Sequence, residues 1–150
     1  MNTERQSGYV LLLVEDSLAD VHLIEQLISN VRPTIDLQVV RDGEAATNYL
    51  RKVGEYATKP TPDLILLDLN LPRKNGLEVL RDIKADPQLQ HIPTIILTTS
   101  DAPRDISAAY AARANSYIIK PSDLDQFILL IQTLDRYWFD LVELPLHNQD

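Results

Sequence analysis

The sequence predicts an α/β domain of the doubly wound type, a five-stranded parallel sheet with helices on both faces, and three observations predict it. Short apolar runs alternate with stretches of helical periodicity, five times over and with short connections, which is the pattern of right-handed βαβ crossovers. The runs Tyr9-Val10-Leu11-Leu12-Leu13-Val14 and Leu64-Ile65-Leu66-Leu67 lack polar alternation, as strands buried on both faces do. Most of the runs then stop abruptly at charged or hydroxylated residues. Such residues would gather at the carboxyl edge of the sheet, where open α/β sheets bind their ligands.

In chain order, the first strand ends in Glu15-Asp16. Ser17 with Asp20 is a capping-box arrangement, and Val21, Ile24 and Ile28 give the helix that follows an apolar stripe to about Asn30. Leu37 to Val40 reads as a short second strand. Asp42-Gly43 turns the chain into a helix from Glu44 to about Lys52. Residues 54–62 form a loop that is long for this class, with Pro60 and Pro62 barring helix. The third strand runs into Asp68, followed by Pro72 and Gly76. Asn75 with Glu78 caps a helix carrying Leu77, Leu80 and Ile83, which ends at Asp86-Pro87. Pro93 to Leu97 is the fourth strand and runs into Thr98. Asp101 with Pro103 opens an alanine-rich, lightly held helix from Arg104 to about Ala114. Tyr117-Ile118-Ile119 is the last strand and stops at Lys120-Pro121. Ser122 with Asp125 caps a final helix that runs through Leu134 towards Val142.

At 150 residues the chain is expected to form one domain, over 9–144, between a flexible leader at 1–8 and a tail at 145–150. No apolar run reaches membrane-spanning length and the start lacks a signal peptide, so a cytoplasmic location is expected. The absence of cysteine excludes disulfides, zinc-thiolate sites and thiol catalysis. A net charge of -8 opposes direct nucleic-acid binding, which draws on lysine and arginine.

Glu15, Asp16, Asp68, Thr98 and Lys120 thus converge on one edge. Adjacent carboxylates raise each other's pKa unless a cation neutralises them, and hard oxygen ligands with room for water favour Mg2+. An aspartate beside that ion is a competent nucleophile toward phosphorus. Lys120 can pair with a phosphoryl oxygen, and Thr98 can donate to another.

These residues, in this order, resemble the receiver domain of two-component response regulators over about Val10 to Leu134. The resemblance implies a flavodoxin-like, receiver-type fold. It also implies Asp68 as the phosphoacceptor for a sensor histidine kinase, with Mg2+ held by Glu15, Asp16, Asp68 and the backbone carbonyl of Asn70. Asp16 would be the direct ligand of the acid pair. Thr98 and Tyr117 would be the switch pair, Lys120 would bind the phosphoryl group, and the peptide before Pro121 would be cis. The long loop, the Val14-Glu15-Asp16-Ser17 form and the Trp138-bearing tail are more specifically similar to small response regulators serving cyanobacterial phytochromes, which implies a role in light signalling. Ser116 departs from the usual glycine, and Thr99 from the common small alanine.

Rival readings are a magnesium phosphatase of the haloacid dehalogenase type, a pseudo-receiver that binds partners without phosphorylation, and a flavin-binding flavodoxin. The first expects an Asp-x-Asp after the first strand, whereas Asp68-Leu69-Asn70 has an amide in the second place and lies on the third. Acids after the first strand would repel a flavin phosphate. His22, His91 and His147 match no ligand spacing. The last helix is apolar on more than one side, so Phe127, Leu130, Leu134 and Trp138 are candidates for a homodimer interface, the commoner case, or for an interface with a kinase domain; the alternative is a tail folded back over its own domain.

Overall fold

A computed structural model of the chain describes residues 8–147. Its strands are β1 (Val10–Val14), β2 (Asp36–Val40), β3 (Leu64–Leu67), β4 (Thr94–Thr98) and β5 (Ser116–Ile119). All pair in parallel, in the order β2-β1-β3-β4-β5. The helices are α1 (Leu18–Val31), α2 (Gly43–Leu50), α3 (Gly76–Ala85), α4 (Pro103–Ala111) and α5 (Leu124–Asp135). The doubly wound parallel fold expected from the sequence is therefore the fold observed.

The alternation of side chains along a strand splits the core in two. Leu12, Val14, Ile65, Leu67 and Ile96 face α2, α3 and α4, where Tyr49, Leu80, Ile83 and Ala109 meet them. Leu11, Leu13, Leu64, Leu66, Ile95 and Leu97 face α1 and α5, against Ile24, Ile28, Phe127 and Ile131. Each large side chain so buried is worth roughly 1.5–3 kcal/mol. Both faces of β1, β3 and β4 are covered, which is why those runs show no polar alternation. At the sheet edge, β5 is only half-buried.

Several boundaries differ from expectation for local reasons. The loop after α2 contains a 3-10 turn, Gly54–Tyr56, and is pinned where the Tyr49 hydroxyl donates to Pro60 O at 2.7 Å. Helix α4 ends at Ala111 and has only Ala109 fully buried. Its start lacks the Asp101 cap: Ser100 Oγ donates to Asp105 at 2.6 Å and accepts from Ala102 N instead. The cap of α5 is Asp123, which accepts from Asp125 N, rather than Ser122. No cis peptide occurs among the described residues, so the bond before Pro121, expected to be cis, is trans, the form that a prolyl peptide intrinsically prefers by about 0.5–1 kcal/mol.

The final helix changes character at its end. From Arg136 to Leu141 it winds as a π-helix, which turns Phe139 onto Tyr9 with ring centroids 4.7 Å apart. The segment beyond returns to the domain. Leu144 packs on the α1/α5 side of the core, and His147 Nε2 lies 3.3 Å from Asp63 Oδ1. The stretch 145–147, expected as tail, is thus in contact with the domain; most of the expected leader (1–7), with 148–150, lies outside the described residues.

Candidate functional site

Asp68 is placed by β3, whose four residues are all buried and which delivers the carboxylate just past its last rung. Gly76 lets α3 begin directly behind it: a Cβ at that position would lie 2.1 Å from Asp68 O and 2.6 Å from Leu69 Cα. The capping box formed by Asn75 and Glu78 starts α3 at that point. Gly43 serves the neighbouring helix similarly, since a Cβ there would lie 1.8 Å from Lys74 O. Two helix N-termini are thereby drawn against the loop that follows Asp68.

Both oxygens of Asp68 are engaged. Oδ1 accepts from the backbone N–H of Asn70 at 3.1 Å, and Oδ2 accepts from Lys120 Nζ at 3.1 Å. Lys120 arrives from the end of β5, its backbone N–H bonded to Thr98 O at 2.7 Å. Its ammonium also donates to Glu15 Oε1 at 2.7 Å and to Asp20 Oδ2 at 2.8 Å. The Lys120 side chain is only 6% exposed. Burial alone would lower its pKa, but the hydrogen bonds it donates to Asp20 and Glu15 and the charge of Asp68 outweigh this and push the value above that of an ordinary lysine. Glu15 is buried as well. Desolvation lifts its pKa, and the bonds from Lys120 and from Ser17 N–H only partly oppose this.

The structure thus brings Glu15, Asp68 and Lys120 into direct contact. Asp16 is exposed beside them, with Arg41 donating to its backbone oxygen at 3.0 Å. Thr98 is fully buried at the end of β4. Tyr117 is half-buried, and its hydroxyl donates to Ser100 O at 2.9 Å, in the loop that Thr98 begins. The oxygen donors of Glu15, Asp16, Asp68 and the Asn70 carbonyl are of the kind that suits a hard divalent cation. Among the described residues no group of three or more acids or histidines is arranged as a ready-made set of metal ligands; the carboxylates of Glu15, Asp20 and Asp68 converge on the ammonium of Lys120, which meets their charge.

Of the residues expected at an interface, Phe127 is a correction: it is 4% exposed and lies in the core, because it sits at the helical spacing of Ile131, which faces the sheet. Leu130, Leu134 and Trp138 are half-buried against the same core. The outward apolar residues of this region are Leu124, Leu129, Tyr137 and Leu141.

Two functional-looking residues escaped the sequence reading. Asp20 was visible only as part of a cap, although a third position in a helix that leaves the acid-bearing edge can also face that edge. Lys84 lies one turn beyond Leu80 on the buried stripe of α3, and that spacing was the signal. The residue is 7% exposed, and its ammonium donates to Gln90 O, Ile92 O and Asn115 Oδ1.

A doubly wound sheet with an aspartate ending its central strand, a lysine from the last strand bonded to it and an acid after the first strand defines the receiver class. The chain belongs to the response regulator receiver domain family, whose model matches residues 11–132. It is 41% identical over 145 residues to Response regulator Rcp1 of Synechocystis sp., covering 97% of this chain and 99% of that one. Among solved structures it is similar to the phosphorylated cyanobacterial phytochrome response regulator RcpA, with a TM-score of 0.89, 43% identity and coverage of 92% of this chain and 99% of that one. The Mn(2+)-bound form of Rcp1 gives a TM-score of 0.89 and 42% identity, with coverage of 93% and 100%. Among the described residues no helix is long and apolar enough to cross a membrane.

Proposed function

We propose that the protein is a stand-alone cytoplasmic response regulator that accepts a phosphoryl group on Asp68 from a sensor histidine kinase and thereby switches its association with other proteins. The observation that carries this reading is the Asp68 carboxylate at the carboxyl end of β3, held by Lys120 beside Glu15. Its structural relatives, a phosphorylated phytochrome response regulator and a manganese-bound one, support both the chemistry and a phytochrome kinase as the donor.

In this reading an Asp68 oxygen attacks phosphorus in line, and the bond to the donor breaks with its electron pair leaving on the donor. Glu15, Asp16, Asp68 and the carbonyl of Asn70 would hold Mg2+, with Asp16 the direct ligand of the acid pair. When bound, the ion supplies positive charge for the phosphoryl oxygens. Lys120 holds one of those oxygens. The Thr98 hydroxyl turns to another, and Tyr117 follows by leaving Ser100 O; contacts made only in the phosphorylated arrangement bias the equilibrium toward it. The outward residues Leu124, Leu129, Tyr137 and Leu141, with Leu130, Leu134 and Trp138 behind them, would associate with a second copy of the chain.

The test is intact mass after incubation with acetyl phosphate, with and without Mg2+, for the wild type and Asp68→Asn. A magnesium-dependent gain of one phosphoryl group that the variant lacks is expected. No gain in the wild type would favour a pseudo-receiver. Sedimentation of the phosphorylated protein as a monomer at micromolar concentration would reject the homodimer.

A further inference from the structure

We infer that Asp20 is a positioning residue for Lys120: a releasable anchor that holds the ammonium back in the resting state and gives it up when Asp68 is phosphorylated. The inference rests on the function proposed above. An ammonium has three donors, and in this structure Glu15, Asp20 and Asp68 take all three, at 2.7, 2.8 and 3.1 Å. To donate to a phosphoryl oxygen, Lys120 must therefore surrender a partner.

The three partners differ in what that surrender leaves behind. Glu15 has a side chain only 3% exposed, so water cannot take the place of the lysine there, and without Mg2+ its buried charge would be left unpaired, which is strongly unfavourable. Asp68 is the residue on which the new oxygens arrive. Asp20 has a side chain 28% exposed, so water can replace the lysine there. The bond to Asp20 is the one whose loss costs least.

Local geometry explains why Asp20 is available. In a capping box the third residue of a helix turns its side chain back to the N–H of the cap residue. Here Ser17 accepts from Asp20 N at 3.2 Å as that arrangement requires, but the N–H of Ser17 donates to Glu15 Oε2 at 3.0 Å. Glu15 has taken the reciprocal position, and the carboxylate of Asp20 is left to reach Lys120. Replacing the side chain keeps the backbone N–H that Ser17 caps, so the start of α1 survives the substitution.

Phosphorylation itself moves no proton through Asp20. An Asp68 oxygen bonds to phosphorus, the phosphorus–oxygen bond of acetyl phosphate breaks, and acetate departs with the electron pair, while Lys120 exchanges hydrogen-bond acceptors. Removing the resting anchor therefore lowers the cost of that exchange. The test follows labelling of the full chain by acetyl phosphate at saturating Mg2+ by intact mass. Asp20→Ala should be labelled roughly 1.5-fold to fivefold faster than wild type, the range expected for losing a partly exposed ion pair. Asp20→Glu, which restores the carboxylate, should return the rate close to that of wild type. A general structural defect would slow labelling, so an unchanged or slower Asp20→Ala overturns the anchor, as does equal acceleration by Ala and Glu. Absence of labelling in wild type would instead overturn the phosphoacceptor reading, and the anchor with it.

Discussion

Arg32, just past the end of α1, donates through Nε to Asp135, at the end of α5, at 2.6 Å across 103 residues of chain. The same guanidinium reaches Asp140 at 2.6 Å and stands 5.9 Å from the centroid of Phe139. One side chain thus ties the first helix to the start of the π-helix, the packing that turns Phe139 inward.

Arg32→Ala leaves the carboxylate of Asp135 buried without its cation. The expected loss is about 2–4 kcal/mol, somewhat below that for breaking a fully buried pair because Arg32 itself keeps partial access to water. A urea midpoint indistinguishable from wild type would show that the clamp contributes nothing.

Lys120→Met removes the cation that, among the described residues, is bonded to Glu15, Asp20 and Asp68. Stability should fall by about 3 kcal/mol without added metal. Because the unscreened acids would then bind Mg2+ more tightly, the ion should raise the melting temperature of the variant more than that of wild type. Equal shifts on titrating Mg2+ would contradict this balance of charge.

Gly76→Ala places a methyl group against Asp68 O and Leu69 Cα. Since the obstacle is backbone, the helix must move as a unit. A loss of about 1–3 kcal/mol is expected, together with slower labelling of Asp68. Full stability combined with normal labelling would mean that the close approach is dispensable.

Lys84 offers a test against pH. Its three acceptors are neutral, and burial, then the charge of Arg113, lowers its pKa below the ordinary 10.5. Between that lowered value and 10.5 the unfolded chain binds more protons than the folded one, so this residue makes stability rise with pH across the window. Lys84→Met should abolish that rise. It should also cost about 1–3 kcal/mol at neutral pH, through the carbonyls of Gln90 and Ile92 that lose a donor. Thermal unfolding of both proteins across that alkaline window checks this, and parallel curves would count against it.

The strands were legible because β1, β3 and β4 are covered on both faces and so carry an unbroken apolar signal. Their terminal residues gave away the site because a carboxylate or an ammonium at the end of a buried run has few structural uses. What stayed hidden depends on rotamers and on long-range pairing. Asp20 satisfies a cap in sequence, and only the diversion of Ser17 N–H to Glu15 sends its side chain to Lys120. Phe127 could be placed on an apolar helix, but which side of that helix meets the sheet is decided by Ile131, Phe139 and the clamp of Arg32. The trans bond before Pro121 has no sequence signature at all.

The carboxylate of Asp63 touches both extremities of the described chain: Oδ2 accepts from Val10 N at 2.8 Å, and Oδ1 faces His147. Asp63 opens β3, whereas Asp68 follows it, so a strand's length, on the order of 15 Å, separates that meeting point from the phosphoacceptor. Attachments made at Gly8 or His147 would leave from the rim of the sheet opposite Asp68. A pair of dyes placed there would sit side by side and report on each other, leaving the Asp68 edge of the sheet clear.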